Sequence, residues 1–389
     1  MLVYAWGPRD LDVDVEAIID AHDAPTRRAA IARLGLTGEA AALDGPALVE
    51  AVFANALRRW FGVLFWFLLL GAACLPAQAQ IGSSTPVRIG VVGPFTGPSA
   101  DFGVPMLNGI KLAVDEINAV GGYLGRPLEL VVKDDAADPD QGRKVSQELL
   151  KEKVVAAIGF CNTGVAMKSI DLFQDTKTPL IVPCATGTAV TAKYPAPESY
   201  IFRVTGRDAL QAPFMVEDIV KRGWDKVAVF ADTTGHGEGG YNDVVAALAA
   251  KNLKPVHVSR FALGVKDLSA ELAAARTAGA EVIYSYTVGQ ENAVIANGKK
   301  ALGWKVPQVG PWTLSFPFFL DGAKDAAEGA LMVQTFIAEP SNERRASFLS
   351  SYTRKYQRKV AVPMAAANAY DATYLLMYSF LGIRDGNLA

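Results

Sequence analysis

The chain has 389 residues, 51% hydrophobic and 20% charged, with a formal net charge of −2. That length can bury two full cores, and the near-neutral balance leaves no basic field for nucleic acid. Three cysteines with no CxxC pair and three histidines, His22, His236 and His257, supply neither a zinc site nor a His-dependent triad, so no metal and no cofactor is expected.

In chain order, residues 1–57 form an Ala-rich leader of helical pattern, and residues 58–80, RRWFGVLFWFLLLGAACLPAQAQ, follow. Two arginines, an uncharged apolar run and a small-x-small ending at Ala77 and Ala79 give the layout of a secretory signal peptide. Used uncleaved, the stretch 60–75 becomes a membrane anchor. Residues 1–72 resemble part of the AmpE family of inner-membrane proteins, which implies a gene fusion or a misplaced start. Export to the periplasm is the expectation either way.

From Val87 the pattern changes. The apolar runs VRIGVVG, LELVVKDD, VVAAIGF and PLIVPC alternate with amphipathic stretches such as GIKLAVDEINAVGG. Strands that are apolar throughout suit parallel sheets covered on both faces. The alternation restarts after Thr205 with KVAVFAD, PVHVSRF, EVIYSYTV and QVGPW, and two helical patterns close the chain. The predicted fold is α/β: two doubly wound parallel-sheet lobes joined by a hinge. Lobe 1 is expected over 86–206 plus 335–389, and lobe 2 over 207–334.

Ligands of such sheets bind outside the carboxyl ends of the strands. The loop GPFTGPSADFG has neither the Gly-Lys-Ser/Thr of a P-loop nor GxGxxG spacing, so it does not read as a phosphate loop. Phe102 in it either lies over a ligand's apolar part or packs on its own lobe. The ends at Asn162-Thr163 and Cys184-Ala185-Thr186 carry hydroxyls, an amide and backbone N–H groups, a set suited to holding a carboxylate without a full opposing charge. The alternative for each threonine is helix capping. Cys161 and Cys184 either pair or remain two buried thiols. His236 stands in a glycine loop with no nucleophile motif, so it reads as a polar wall. Val288 lies at a further strand end, and Trp312 is a stacking wall or core.

From Pro86 to about Gly382, the combination of GPFTGPSADFG with NGIKLAVDEINAVGG, PCATGT, FRVTGRDALQAP and ADTTGHGEGG resembles the periplasmic leucine/isoleucine/valine-binding type of solute receptor for ABC transporters, with the type I periplasmic binding fold. The resemblance implies a non-enzymatic, monomeric receptor that closes on a small ligand and is recognised by membrane permease subunits. It also implies roles: Asn162, Thr163, Cys184, Ala185 and Thr186 hold the ligand carboxylate, Phe102 covers its side chain, Asp208 helps hold an ammonium group, and His236 takes the place of a loop tyrosine. Where amino-acid receptors carry a glutamate after Gly-Pro, this chain has Trp312. That loss of an acid makes aromatic carboxylates a rival to branched-chain amino acids. A ligand-sensing regulatory domain is a further alternative, and an α/β enzyme a remote one. The family pattern continues past the position of Ala389, so a truncated C-terminus is expected.

Overall fold

The computed structural model describes residues 85–383 and 387–388. The AmpE-like leader, and the signal or anchor segment with Cys74, lie outside the described residues.

The first sheet is built from β1 (Val87–Gly93), β2 (Leu128–Asp134), β3 (Ala156–Gly159), β4 (Leu180–Val182) and β5 (Ile201–Arg203), all parallel in the order β2-β1-β3-β4-β5. Helices α1 (Ala100–Ala119), α2 (Pro139–Lys151), α3 (Thr163–Asp175) and the short α4 (Ala189–Ala192) make the crossovers. Every residue of β3 and β4 is buried, as a strand covered on both faces requires.

The same plan then repeats. Helix α5 (Asp208–Lys221) leads into β6 (Val227–Asp232), α6 (Gly235–Ala249), β7 (His257–Phe261), α7 (Ser269–Thr277), β8 (Val282–Tyr286), α8 (Glu291–Ala301) and β9 (Gln308–Gly310). A 3₁₀ turn (Trp312–Ser315), α9 (Pro317–Ala323) and β10 (Leu331–Met332) complete the second sheet, parallel in the order β7-β6-β8-β9-β10. The two orders are identical once renumbered. Each sheet therefore has one switch point, between β1 and β3 in the first and between β6 and β8 in the second, where successive loops part and leave a crevice.

The last helices, α10 (Glu343–Tyr356) and α11 (Pro363–Leu381), return to the first lobe and pack on α1. Gly109 of α1 makes the closest approach: a Cβ there would lie 2.1 Å from the Ala366 carbonyl oxygen. Tyr370 and Tyr374 of α11 both donate to the Glu116 carboxylate, at 2.5 and 2.8 Å.

Two strands go beyond the sequence expectation. β5 and β10, of three and two residues, are not among the expected strands, and each extends an edge of its sheet. Among the described residues, no helix is long and apolar enough to cross a membrane.

Candidate ligand cleft

Both switch points are shaped by an aspartate at a strand end. In the first lobe, Asp134 Oδ1 accepts the Phe95 N–H at 2.8 Å and Oδ2 accepts the Thr96 hydroxyl at 2.5 Å, fixing the loop after β1. Burial works to raise the Asp134 pKa, but these bonds outweigh it and hold the group below the usual carboxylate range. In the second lobe, Asp232 Oδ1 accepts from Thr234 N–H at 2.9 Å and its hydroxyl at 2.6 Å, while Oδ2 accepts the Val288 N–H at 3.0 Å. Asp232 thus joins the loops after β6 and β8. Neither residue is given a role by the sequence reading, which places Asp232 only at a strand end, although a carboxylate closing an apolar strand just before a turn is a readable signal.

A narrow cavity lies between the lobes, lined by Phe102, Cys161, Thr163, Cys184 and Thr186 from the first lobe's strand ends and His236, Val288, Trp312, Thr313 and Phe316 from the second's. Seven of the ten residues expected at a site meet there. Its volume is about 10 Å³, the space of one water molecule. None of the lining residues is Lys, Arg, Asp or Glu. Three rings make the apolar wall: Phe102 stacks on Phe316 with centroids 5.1 Å apart, and Trp312 meets Phe316 edge-on at 4.7 Å. Phe102 therefore packs across the gap rather than on its own lobe alone.

The polar wall is held from behind. Arg203 donates to the carbonyl oxygens of Thr186 at 2.7 Å and Gly187 at 2.9 Å, and to the Thr191 hydroxyl at 2.8 Å. Burial pushes its pKa down to about 10, which leaves it charged at neutral pH. None of Thr163, Thr186 and Thr188 makes a side-chain cap bond to the helix that follows it. Thr163 Oγ1 accepts the Gly187 N–H at 3.2 Å, and Thr188 donates to Asp243 Oδ2 across the lobes at 2.7 Å while accepting Ala209 N–H. Thr186 Oγ1 lies 3.3 Å from His236 Nδ1, a second contact between the lobes. Beside these contacts, Gly164 and Gly235 abut: a Cβ on Gly235 would come within 3.0 Å of Gly164 Cα.

Three expected residues are not on the cavity. Asn162 is half-buried and donates to Ser99 Oγ at 3.2 Å, bridging the loops after β1 and β3. Ala185 packs on the opposite face of the first sheet and its N–H is taken by the Phe160 carbonyl, because neighbouring residues alternate faces and Cys184 already points at the cleft. Asp208 is fully buried behind His236, its Oδ2 lying 3.7 Å from Nδ1. Thr313 and Phe316 line the cavity without having been expected; they come from the 3₁₀ turn and the residue after it, past the end of any strand pattern. Trp312 Nε1, the Thr313 hydroxyl and His236 Nε2 are buried with no hydrogen-bond partner, so the wall keeps polar capacity unspent. Cys161 and Cys184 are free thiols.

Two lobes of one plan thus face each other with their strand ends across an uncharged polar and aromatic gap, the layout of a two-lobed binding protein. Residues 86–378 match the periplasmic binding protein family, and the chain belongs to it. Its members bind ligands and are not enzymes. The chain is 35% identical over 219 residues to a Leu/Ile/Val-binding protein homolog 3 of Brucella melitensis, a match covering 56% of this chain and 59% of that protein. Among solved structures it is similar to the leucine binding protein LivK of Thermotoga maritima, with a TM-score of 0.69 at 25% identity, covering 78% of this chain and 84% of the other. A solute binding protein of an ABC transporter from R. palustris, in complex with 4-hydroxybenzoate, shares the fold with a TM-score of 0.69 at 23% identity over 78% and 82% of the two chains.

Proposed function

We propose that this chain is the extracytoplasmic solute receptor of an ABC importer, taking a small organic carboxylate between its lobes and presenting the closed form to a membrane permease. Lobe 1 is assigned to 86–206 plus 335–389 and lobe 2 to 207–334, with hinge segments near Val204–Asp208 and Gln334–Phe336. The observation that carries this reading is the cavity itself, to which both sheets contribute strand-end side chains, with hydroxyls on one wall and aromatic rings on the other. A carboxylate is served there by Thr163 and Thr186 and by the amino ends of helices, which favour an anion. Access requires the lobes to part, since about 10 Å³ holds no organic acid. Closure is then a population shift driven by contacts made only when both lobes touch the ligand.

For the ligand, a branched-chain or related amino acid follows the names of the relatives. An aromatic or otherwise amine-free carboxylate is favoured by the geometry, because Asp208 sits behind His236 and Trp312 replaces an acid. A buried ammonium group needs an anion within reach, and none lines the gap. Titration calorimetry of the chain with leucine, phenylalanine and benzoate tests both. Heat with benzoate and none with leucine supports the amine-free reading. Tight leucine binding that Asp208→Asn abolishes supports the amino-acid reading instead, and turnover of any of the three would defeat the receptor proposal.

A further inference from the structure

We infer that Cys161 and Cys184 form a redox-active dithiol in the floor of the cleft, a modification site oxidised to an intramolecular disulfide by exchange with a small disulfide donor. The sheet itself brings them together. β3 and β4 pair in parallel with Ile158 beside Ile181, and three residues further along each strand stand Cys161 and Cys184. The strands remain side by side to that point, where the Ala185 N–H still bonds the Phe160 carbonyl at 3.0 Å. Paired strands lie about 4.8 Å apart, inside the range of about 4.4–6.8 Å that Cα atoms span across a disulfide. Both thiols point to the same face, share one core cluster and line the cavity.

The surroundings are soft and dry. Cys161 Sγ lies 3.4 Å from Met106 Sδ, and burial, followed by the neighbouring Cys184 thiol, pushes the Cys161 pKa well up. A thiol held protonated is a slow nucleophile, so exchange needs the lobes parted and the floor wetted.

The exchange balances with the donor as oxidant. The Cys161 thiolate attacks one donor sulfur, the donor's S–S bond breaks, and one donor thiolate leaves. The Cys184 thiolate then attacks Cys161 Sγ and expels the second donor thiolate. Both thiol protons end on the two donor thiols, one protein S–S bond has formed, and the donor has been reduced.

The test is peptide mapping of the reduced full chain after incubation with oxidised glutathione and alkylation of the remaining thiols. The expected product is a cross-linked Cys161–Cys184 peptide with the loss of two hydrogens. In Cys184→Ser, exchange stops halfway and Cys161 retains a glutathione adduct. Recovery of both cysteines alkylated, of separate adducts on each, or of a cross-link through Cys74 overturns the inference. It stands on the thiols alone, so its failure leaves the calorimetric test of the cleft untouched.

Discussion

Asp135, next to the loop-forming Asp134, is fully buried, with Oδ2 unpartnered and Oδ1 accepting the Ala137 N–H at 2.9 Å. Burial raises its pKa to about 7, with Asp134 and Asp138 adding to the effect. A carboxyl whose folded pKa lies above its unfolded value of about 3.9 binds more protons in the native state, so stability falls as pH rises from about 4 to about 7. Three pKa units at about 1.4 kcal/mol each bound that loss at about 4 kcal/mol. Asp135→Asn keeps the acceptor for Ala137 and cannot ionise; denaturant unfolding of this variant should show a flatter stability curve over that window than the parent. A variant that keeps the full slope would place the titration elsewhere. At this same scale the cleft was largely legible, since hydroxyls, a histidine and a tryptophan at strand ends announce a polar gap. Ala185 falls off the cavity by parity, being one residue past a cysteine that faces the cleft. Thr313 and Phe316 sit on an irregular turn, whose direction no periodicity fixes.

Among the elements, the contact of α1 with α11 holds the tail on the first lobe, and Gly109 sets its closeness. Gly109→Ala drives a methyl into the Ala366 carbonyl, and backbone cannot yield as a side chain does. The expected cost is at least about 2 kcal/mol, read as a lower denaturation midpoint. Across the lobes, the Thr188 hydroxyl on Asp243 is a charge-assisted bond made only when α6 meets the first lobe's strand-end loop. Bonds of that kind contribute about 1.5–3 kcal/mol. Thr188→Val should therefore weaken ligand binding by roughly tenfold or more in calorimetry, while Thr188→Ser restores it. An unchanged affinity in Thr188→Val would mean that the closed form does not use this bond. The central strands were legible because a sheet buried on both faces demands unbroken apolar runs. β5 and β10 were not, because two or three residues carry no period and are recruited by a neighbour's free edge.

For the whole molecule, the repeated strand order is what turns two separate sheets into one clamp: each plan puts its crevice at a switch point, and the crevices face one another. A ligand that binds only the folded chain stabilises it by about 2.7 kcal/mol at one hundred times Kd. Thermal melts should rise by several degrees with the true ligand and stay still with the others. The touching glycines, Gly164 near the start of α3 and Gly235 at the start of α6, carry a last consequence. Each helix ends there in roughly half a positive charge from its aligned peptides, so the lobes come together like pole to like pole. An anionic ligand held in the cleft beside those ends would offset that repulsion, so binding should depend on charge as well as on shape. Benzamide, alike in outline to benzoate but neutral, should leave the melt unmoved where the acid shifts it.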